Sequence, residues 1–191
     1  MANHFDQARS TIETLGLTTG HTAGRCPGCG AMVPTVPDGP THRYIGASPG
    51  CWALYTALLA SEYTAFDART HQLSVDSYAA QHPGKRSPQA IQAVCTHLVA
   101  LCLSLEHSFG VEDLRPLMGD MSKGRWFEPI WLEPPTAPFS MTIVDLLGID
   151  APDVYGVKVH EWAAATWAAW SAHHAQVREW ASLVARSRGL G

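Results

Sequence analysis

No run of about eighteen uncharged apolar residues, the length that a membrane-spanning helix needs, occurs in this 191-residue chain. The opening MANHFDQARSTIETLG carries charges throughout and has no apolar stretch. The expectation is a chain without a secretory signal that stays in the cytoplasm. Basic charge is scarce and scattered: 13 Lys and Arg stand against 17 Asp and Glu, for a net charge of -4. The nearest approaches to a basic patch, Lys85-Arg86 and Arg186-Ser187-Arg188, read as a solvated loop and a charged helix end, so neither nucleic acid nor membrane is expected as a partner. Cysteine is scarce too, and the 5 present cannot all pair. A cytoplasmic chain keeps its thiols reduced, so closely spaced cysteines read as ligands or redox groups rather than disulfides. HExxH, a Gly-rich phosphate loop and a nucleophile elbow are all missing, and no standard reaction class is indicated.

What is present suits one helical domain over 1–191, with an apolar share of 46%, enough for a real core. Residues 1–20 read as a short helix with Phe5, Ala8, Ile12 and Leu15 on one face. Residues 21–50 are dense in Gly and Pro and read as a loop. A helix starts at Ser48-Pro49-Gly50-Cys51, where Ser48 can cap and Pro49 lacks the N–H that would go unpaired. Its Trp52, Tyr55, Leu59, Tyr63 and Phe66 form a mainly aromatic stripe. A short turn of helix covers 74–81. Ser87-Pro88 repeats the cap-then-proline start of a helix running to about His107, whose stripe is Ile91, Val94, Leu98, Leu101 and Leu105, widened by Cys95 and Cys102. Residues 110–140 read as an irregular ordered segment packed over the helices. Thr142 with Asp145 reads as the cap of a short helix over 143–147. One continuous helix is expected over 157–185, with Val159, Trp162, Thr166, Trp170, His173, Val177, Trp180 and Val184 on one face. The fold class is therefore mostly α, an antiparallel helical bundle with a metal-stapled Gly/Pro-rich N-terminal loop.

Cys26-Pro27-Gly28-Cys29-Gly30 has the form of a metal knuckle: two thiolates two residues apart can face one ion, and the glycines let the backbone turn around them. A thioredoxin-like CxxC would open a helix, but Ala31-Met32-Val33-Pro34-Thr35-Val36-Pro37 cannot continue as one. Iron in a rubredoxin-like site needs a second CxxC, so zinc is the expected ion. Cys51 supplies a third sulfur from the first turn of a helix, where the dipole favours a thiolate. For the fourth ligand His42, which shares the knuckle's loop, ranks narrowly first, and His82, which is reachable if the turn over 74–81 runs back along the preceding helix, ranks second. His71, roughly 30 Å from Cys51 along a straight helix, cannot share that ion.

Polar groups recur on elements that should pack together: His71, Asp76, Tyr78 and His82, then Gln89, Gln92 and His97, then His173-His174 with Arg178. Buried histidines need hydrogen bonds or a metal. Each alone reads as a satisfied core histidine, whereas His71, Asp76, His82, His97 and His173 together make a candidate catalytic set, as metal ligands or as acid and base. Trp162, Trp167 and Trp170 beside His173 would wall an apolar or aromatic small molecule.

The motifs CPGCG, SPGCWALY, VDSYAAQHPG, with SPQAIQAVCTHLVALCL, and HHAQVREW within VHEWAAATWAAWSAHHAQVREW, taken in this order, resemble a bacterial family of domains of unknown function. The resemblance covers roughly 25–108 and 140–181 and implies a metal-binding helical domain without naming a reaction. It places the family's Cys and His positions on Cys26, Cys29, His42, Cys51, His71, His82 and His97, and a small residue at Cys95, which argues against Cys95 as a ligand. Two functions follow. One is a small zinc-dependent enzyme acting on a small molecule through the histidine cluster; the other is a non-catalytic zinc-stabilised module that binds a protein or an apolar ligand.

Overall fold

The computed structural model describes residues 4–20, 22–65, 68–123 and 126–187. Phe66, Arg188 and the side chain of Phe5, singled out above, lie outside them. The chain is mostly helical. Its elements are α1 (His4–Thr14), a hairpin of β1 (Ala23–Arg25) and β2 (Met32–Pro34), α2 (Pro49–Ala65), α3 (Ala68–Gln81), α4 (Pro88–Glu106), α5 (Val111–Met121), α6 (Pro152–Ala169) and α7 (His174–Arg186). Short 3-10 turns, Ile143–Leu146 and Ser171–His173, precede α6 and α7.

The proline-led starts hold in detail. Ser48 Oγ accepts from Cys51 N at 3.3 Å, and Ser87 Oγ accepts from Ala90 N at 3.2 Å, so each hydroxyl satisfies a backbone N–H that the helix cannot. The Asp145 carboxylate likewise accepts from Thr142 N at 2.7 Å. α4 is the central helix, buried almost all round from Leu98 to Ser104, with α3, α5, α6 and α7 packed against it. By length and mean hydropathy, 1.4 over its apolar window, it matches a membrane span despite its Gln and His residues, but most of it is buried within the fold.

Five expectations need correction. The loop over 21–50 contains a two-stranded antiparallel hairpin, Arg25 opposite Met32, with the knuckle in its turn. The buried face of α2 is Cys51, Leu54, Tyr55, Leu58 and Glu62, while Tyr63 is 84% exposed; the aromatic stripe runs along the edge of the core face. α3 begins six residues earlier than expected, at Ala68. The irregular segment holds α5, in which Pro116 sits inside a helix that buries Leu114, Leu117 and Met121; packing of those side chains outweighs the lost backbone hydrogen bond. Finally, the C-terminal helix is two helices. Trp170 and the turn Ser171–His173 break the run, yet Val159, Trp162 and Thr166 before the break and Val177, Trp180 and Val184 after it are all buried. α6 lies on α3 and α7 on α4. A sequence stripe with helical spacing survives one tight turn, so periodicity alone did not reveal the bend.

Candidate metal centre

A hairpin turn and two helix termini deliver four donors to one point. In the knuckle, Cys26 N donates to Ala31 O at 2.8 Å, and Gly30 N donates to Cys26 O at 3.0 Å. Gly30 takes a φ of 79°, the left-handed region that lets the chain reverse straight after Cys29. Cys51 comes from the first turn of α2, and His82 directly follows the last residue of α3, which runs back along α2 to bring it there. Cys26, Cys29, Cys51 and His82 are each at most 2% exposed. Their donor atoms all lie within 4.8 Å of one another.

The spacing fits a tetrahedral ion. Sγ of Cys29 and Sγ of Cys51 are 3.8 Å apart, and Cys51 Sγ is 3.4 Å from His82 Nε2. A disulfide would need about 2.05 Å, whereas a tetrahedron with metal–sulfur bonds of about 2.3 Å has edges of about 3.8 Å. The surroundings fix the donors. His82 Nδ1–H donates to the Tyr78 carbonyl at 2.6 Å, which turns Nε2 toward the sulfurs, and the Tyr78 hydroxyl donates to Cys51 Sγ at 3.6 Å. Gly28 lies flat against this assembly: a Cβ there would collide with the His82 ring and sit 2.8 Å from the Gly46 carbonyl. Hydrogen bonding from Cys29, then Cys51, lowers the Cys26 thiol well below its ordinary value, so one thiolate is favoured at once. Cys51 is pushed up, first by Cys26 and Cys29. Three crowded sulfurs ionise together only when a cation shares their centre. The donor set can hold a metal ion.

His42, ranked first for the fourth place, is not in this cluster. Its ring packs against Trp52 and Tyr44 at centroid distances of 5.2 and 4.4 Å, and its buried Nδ1 has no hydrogen-bond partner among the described residues. Sharing a loop did not bring it in: His42 is held in the aromatic contacts with Trp52 and Tyr44, whereas α3 returns His82 to the start of α2.

Among known families, residues 24–171 match a family of unknown function, DUF5946. The chain belongs to that family. No curated protein and no solved structure matches it. The family match takes in all four donors, and His173 falls two residues beyond it.

Beside the centre, this DUF5946 member has a cavity of about 840 Å³. His42, Trp52, Tyr55 and Leu59 form one wall; Gln92, Thr96 and His97 of α4 form another; Met118 and Gly119 of α5, with Ser122 just after it, close it, and His82 reaches it from the metal centre. None of its described lining residues is Asp, Glu, Lys or Arg.

The remaining candidates divide sharply. His97 Nδ1–H donates to Asp76 at 2.7 Å, and both Asp76 oxygens also accept from Gln72 Nε2, at 3.0 and 3.1 Å. Asp76 is wholly buried, and desolvation raises its carboxyl above the usual range despite His97 and Gln72. His97 stays 19% exposed at the side chain and lines the cavity, with Nε2 free of any partner among the described residues. His71 belongs elsewhere: its Nδ1–H donates at 3.0 Å to Glu62, which also accepts from Ser74 at 2.5 Å and Tyr155 at 2.6 Å. Sequence reasoning passed over Glu62, although an acid seven residues after Tyr55 on a buried helical face was its signal. His173 lies in the bend and donates from Nε2 to the Glu133 carbonyl at 2.9 Å. The five candidate catalytic residues therefore do not share a pocket; His82 and His97 line the same cavity, with Asp76 behind His97. Trp162, Trp167 and Trp170 are at most 7% exposed and belong to the core; the aromatic wall is built instead from Trp52 and Tyr55.

A second group of donors, Cys102, Glu106 and His107, also converges. Its carboxylate already accepts from Arg178 at 2.8 and 2.7 Å and from Trp167 Nε1 at 2.9 Å. Burial, then Glu106, pushes the Cys102 thiol up to about 12, so it keeps its proton. Cys95 is likewise pushed up to about 12 by burial, and its thiol donates to the Ile130 carbonyl.

Proposed function

We propose that the protein is a small enzyme in which zinc at Cys26, Cys29, Cys51 and His82 holds the fold, while His97, backed by Asp76, acts as a general base on the uncharged part of a small molecule in the adjacent cavity. The observation that carries this reading is the Asp76–His97 pair on the cavity wall. A buried carboxylate behind Nδ1 sets the tautomer so that Nε2 is the basic atom, and it steadies the imidazolium that forms when Nε2 takes a proton. Such a base supplies a rate factor of about 10² to 10⁴. Zinc suits the donor set, since three thiolates and an imidazole make a closed tetrahedral site. Bound there, the metal would offset two of the three thiolate charges and pin the knuckle to α2 and α3. The protein's own donors fill all four positions, so proton transfer is assigned to His97.

Incubation of the metal-loaded protein with a small-molecule extract, read by mass spectrometry, tests this. Wild type and His173→Ala should deplete the same species, and His97→Ala should leave them intact. Depletion that persists in His97→Ala removes the base from the assignment. The closed donor set also favours a second reading, a zinc-stabilised binding module. In that case species are retained by the protein, in a manner that depends on the cavity, and none is converted.

A further inference from the structure

Directly beside the cavity lies a second hollow of about 470 Å³, and the two share Tyr44, Ile45 and Gln89 as a common wall. The hollow's chemistry is opposite. Among the described residues Arg43, Lys85 and Arg86 line it and no acidic residue does, in a chain whose net charge is -4. None of the three cations has a carboxylate partner among the described residues.

Two features hold these side chains around one space. Gly46 N donates to the His82 carbonyl at 3.1 Å, and a Cβ on Gly46 would meet Gly84 at 2.9 Å, so the loop carrying Arg43 and the loop carrying Lys85 and Arg86 touch backbone to backbone. Gly84 adopts a φ of 43°, and a Cβ there would collide with the Tyr44 carbonyl. Arg86 is also steadied, its guanidinium 5.9 Å from the centre of the Trp131 ring. The loop pair is anchored on His82, so the metal centre positions the cations. Lys85-Arg86, a solvated loop when read alone, becomes part of a three-cation concavity once Arg43 is brought alongside.

We propose that Arg43, Lys85 and Arg86 form an anion subsite for a phosphate-bearing ligand, whose uncharged, aromatic or apolar part occupies the cavity beside His97. Three cations without a counter-carboxylate suit a dianion, and arginine forks bind phosphate oxygens in pairs. The cavity has no charged lining, so it suits the other half of the same molecule. The proposal rests on the cavity being a ligand site, and the test separates the two ideas.

The metal-loaded full chain is titrated with inorganic phosphate, phenol, phenyl phosphate and benzoate, following the Gly46 and Gly84 amides by NMR. Phosphate alone should shift these amides and bind weakly. Phenyl phosphate should bind at least about tenfold tighter than phosphate, because the ring leaves water. Lys85→Ala/Arg86→Ala should weaken both by about tenfold, whereas Lys158→Ala/Arg69→Ala, with the same change in net charge, should not. Gly119 lines the cavity, and a Cβ there meets nothing within 4 Å, so Gly119→Leu should be tolerated and abolish only the gain due to the ring. The anion subsite is overturned if phosphate binding is absent, or is equally insensitive to both double variants. The link to the cavity is overturned if phosphate binds at the cations but phenyl phosphate and phenol gain nothing from the ring. Tighter binding of benzoate than phenyl phosphate overturns the phosphate assignment.

Discussion

His82 and His97 are held in the same way and placed to do different things. Each ring is fixed from behind at Nδ1 by an acceptor from α3, the Tyr78 carbonyl for His82 and the Asp76 carboxylate for His97. In front, His82 meets three sulfurs and is 1% exposed, while His97 meets a cavity. A neutral carbonyl behind, and ahead a metal ion shared with three thiolates, would suit a ligand that stays unprotonated and bound. A buried carboxylate behind and open space ahead suit a group that accepts and releases a proton. The acceptor behind the ring and the burial in front of it, rather than the residue type, separate a structural histidine from a reactive one.

The largest expected effect lies on the His82 side. Cys26→Ser or Cys29→Ser should lose zinc and lower the melting temperature by about 10–15 °C, corresponding to about 4–5 kcal/mol in a chain of this size. Metal analysis with calorimetry checks this, and full zinc occupancy in either variant would refute the ligand assignment. His42→Ala should keep its metal. Next comes Gly28→Ala, whose methyl group must displace the His82 ring. A cost of about 1–3 kcal/mol and weaker zinc retention in a chelator competition are expected.

On the His97 side stability and activity should part company. Asp76→Asn should abolish turnover yet stay within about 1 kcal/mol of wild type, because a neutral amide removes a buried charge while still accepting from His97. Burial raises the Asp76 carboxyl, so its contribution is full below the ordinary value of 3.8 and is lost as pH rises through the raised one. The variant should therefore gain on wild type as pH rises above 3.8, measured as melting temperature against pH. If it instead loses stability as severely as Cys26→Ser, the carboxylate is a structural group and the contrast fails. The smallest effect belongs to neither histidine. Arg178, hydrogen-bonded to Glu106, lowers that carboxyl to about 2, so its small stabilisation is present above the usual carboxylate range and is lost as pH falls toward 2. In Arg178→Ala that acid-side loss should nearly disappear from the melting curve, with zinc content unchanged.

The metal centre was largely legible because its evidence is local. Cys26 and Cys29 are a knuckle by spacing alone, and Cys51 follows a Ser-Pro helix start that places it in the first turn. Its fourth member was not, because His82 is distant in sequence and enters only through the direction of α3. That direction is tertiary information, and proximity along the chain favoured His42 instead. The partner of His97 was hidden for the same reason, since Asp76 meets it across two helices. α5 escaped notice because Pro116 and Gly119 weigh against a helix locally, while burial of Leu114, Leu117 and Met121 outweighs them. The two helical faces that were read most readily, on α4 and along α6 and α7, were core and carried no chemistry.

The bend at Ser171–His173 divides the chain in a further sense. Every residue of the donor set, the cavity and the cationic hollow precedes it, and the family match ends at residue 171, inside it. α7 is thus a clasp laid over the back of α4, hinged at one short turn and sharing no side chain with the chemistry. Adding or removing one residue in that turn would rotate the clasp by about 100°, turning Val177, Trp180 and Val184 away from α4 while all four candidate metal donors stayed in place. The molecule could therefore lose its grip on its own core with its metal-binding set intact, and an intact metal content would not certify an intact fold.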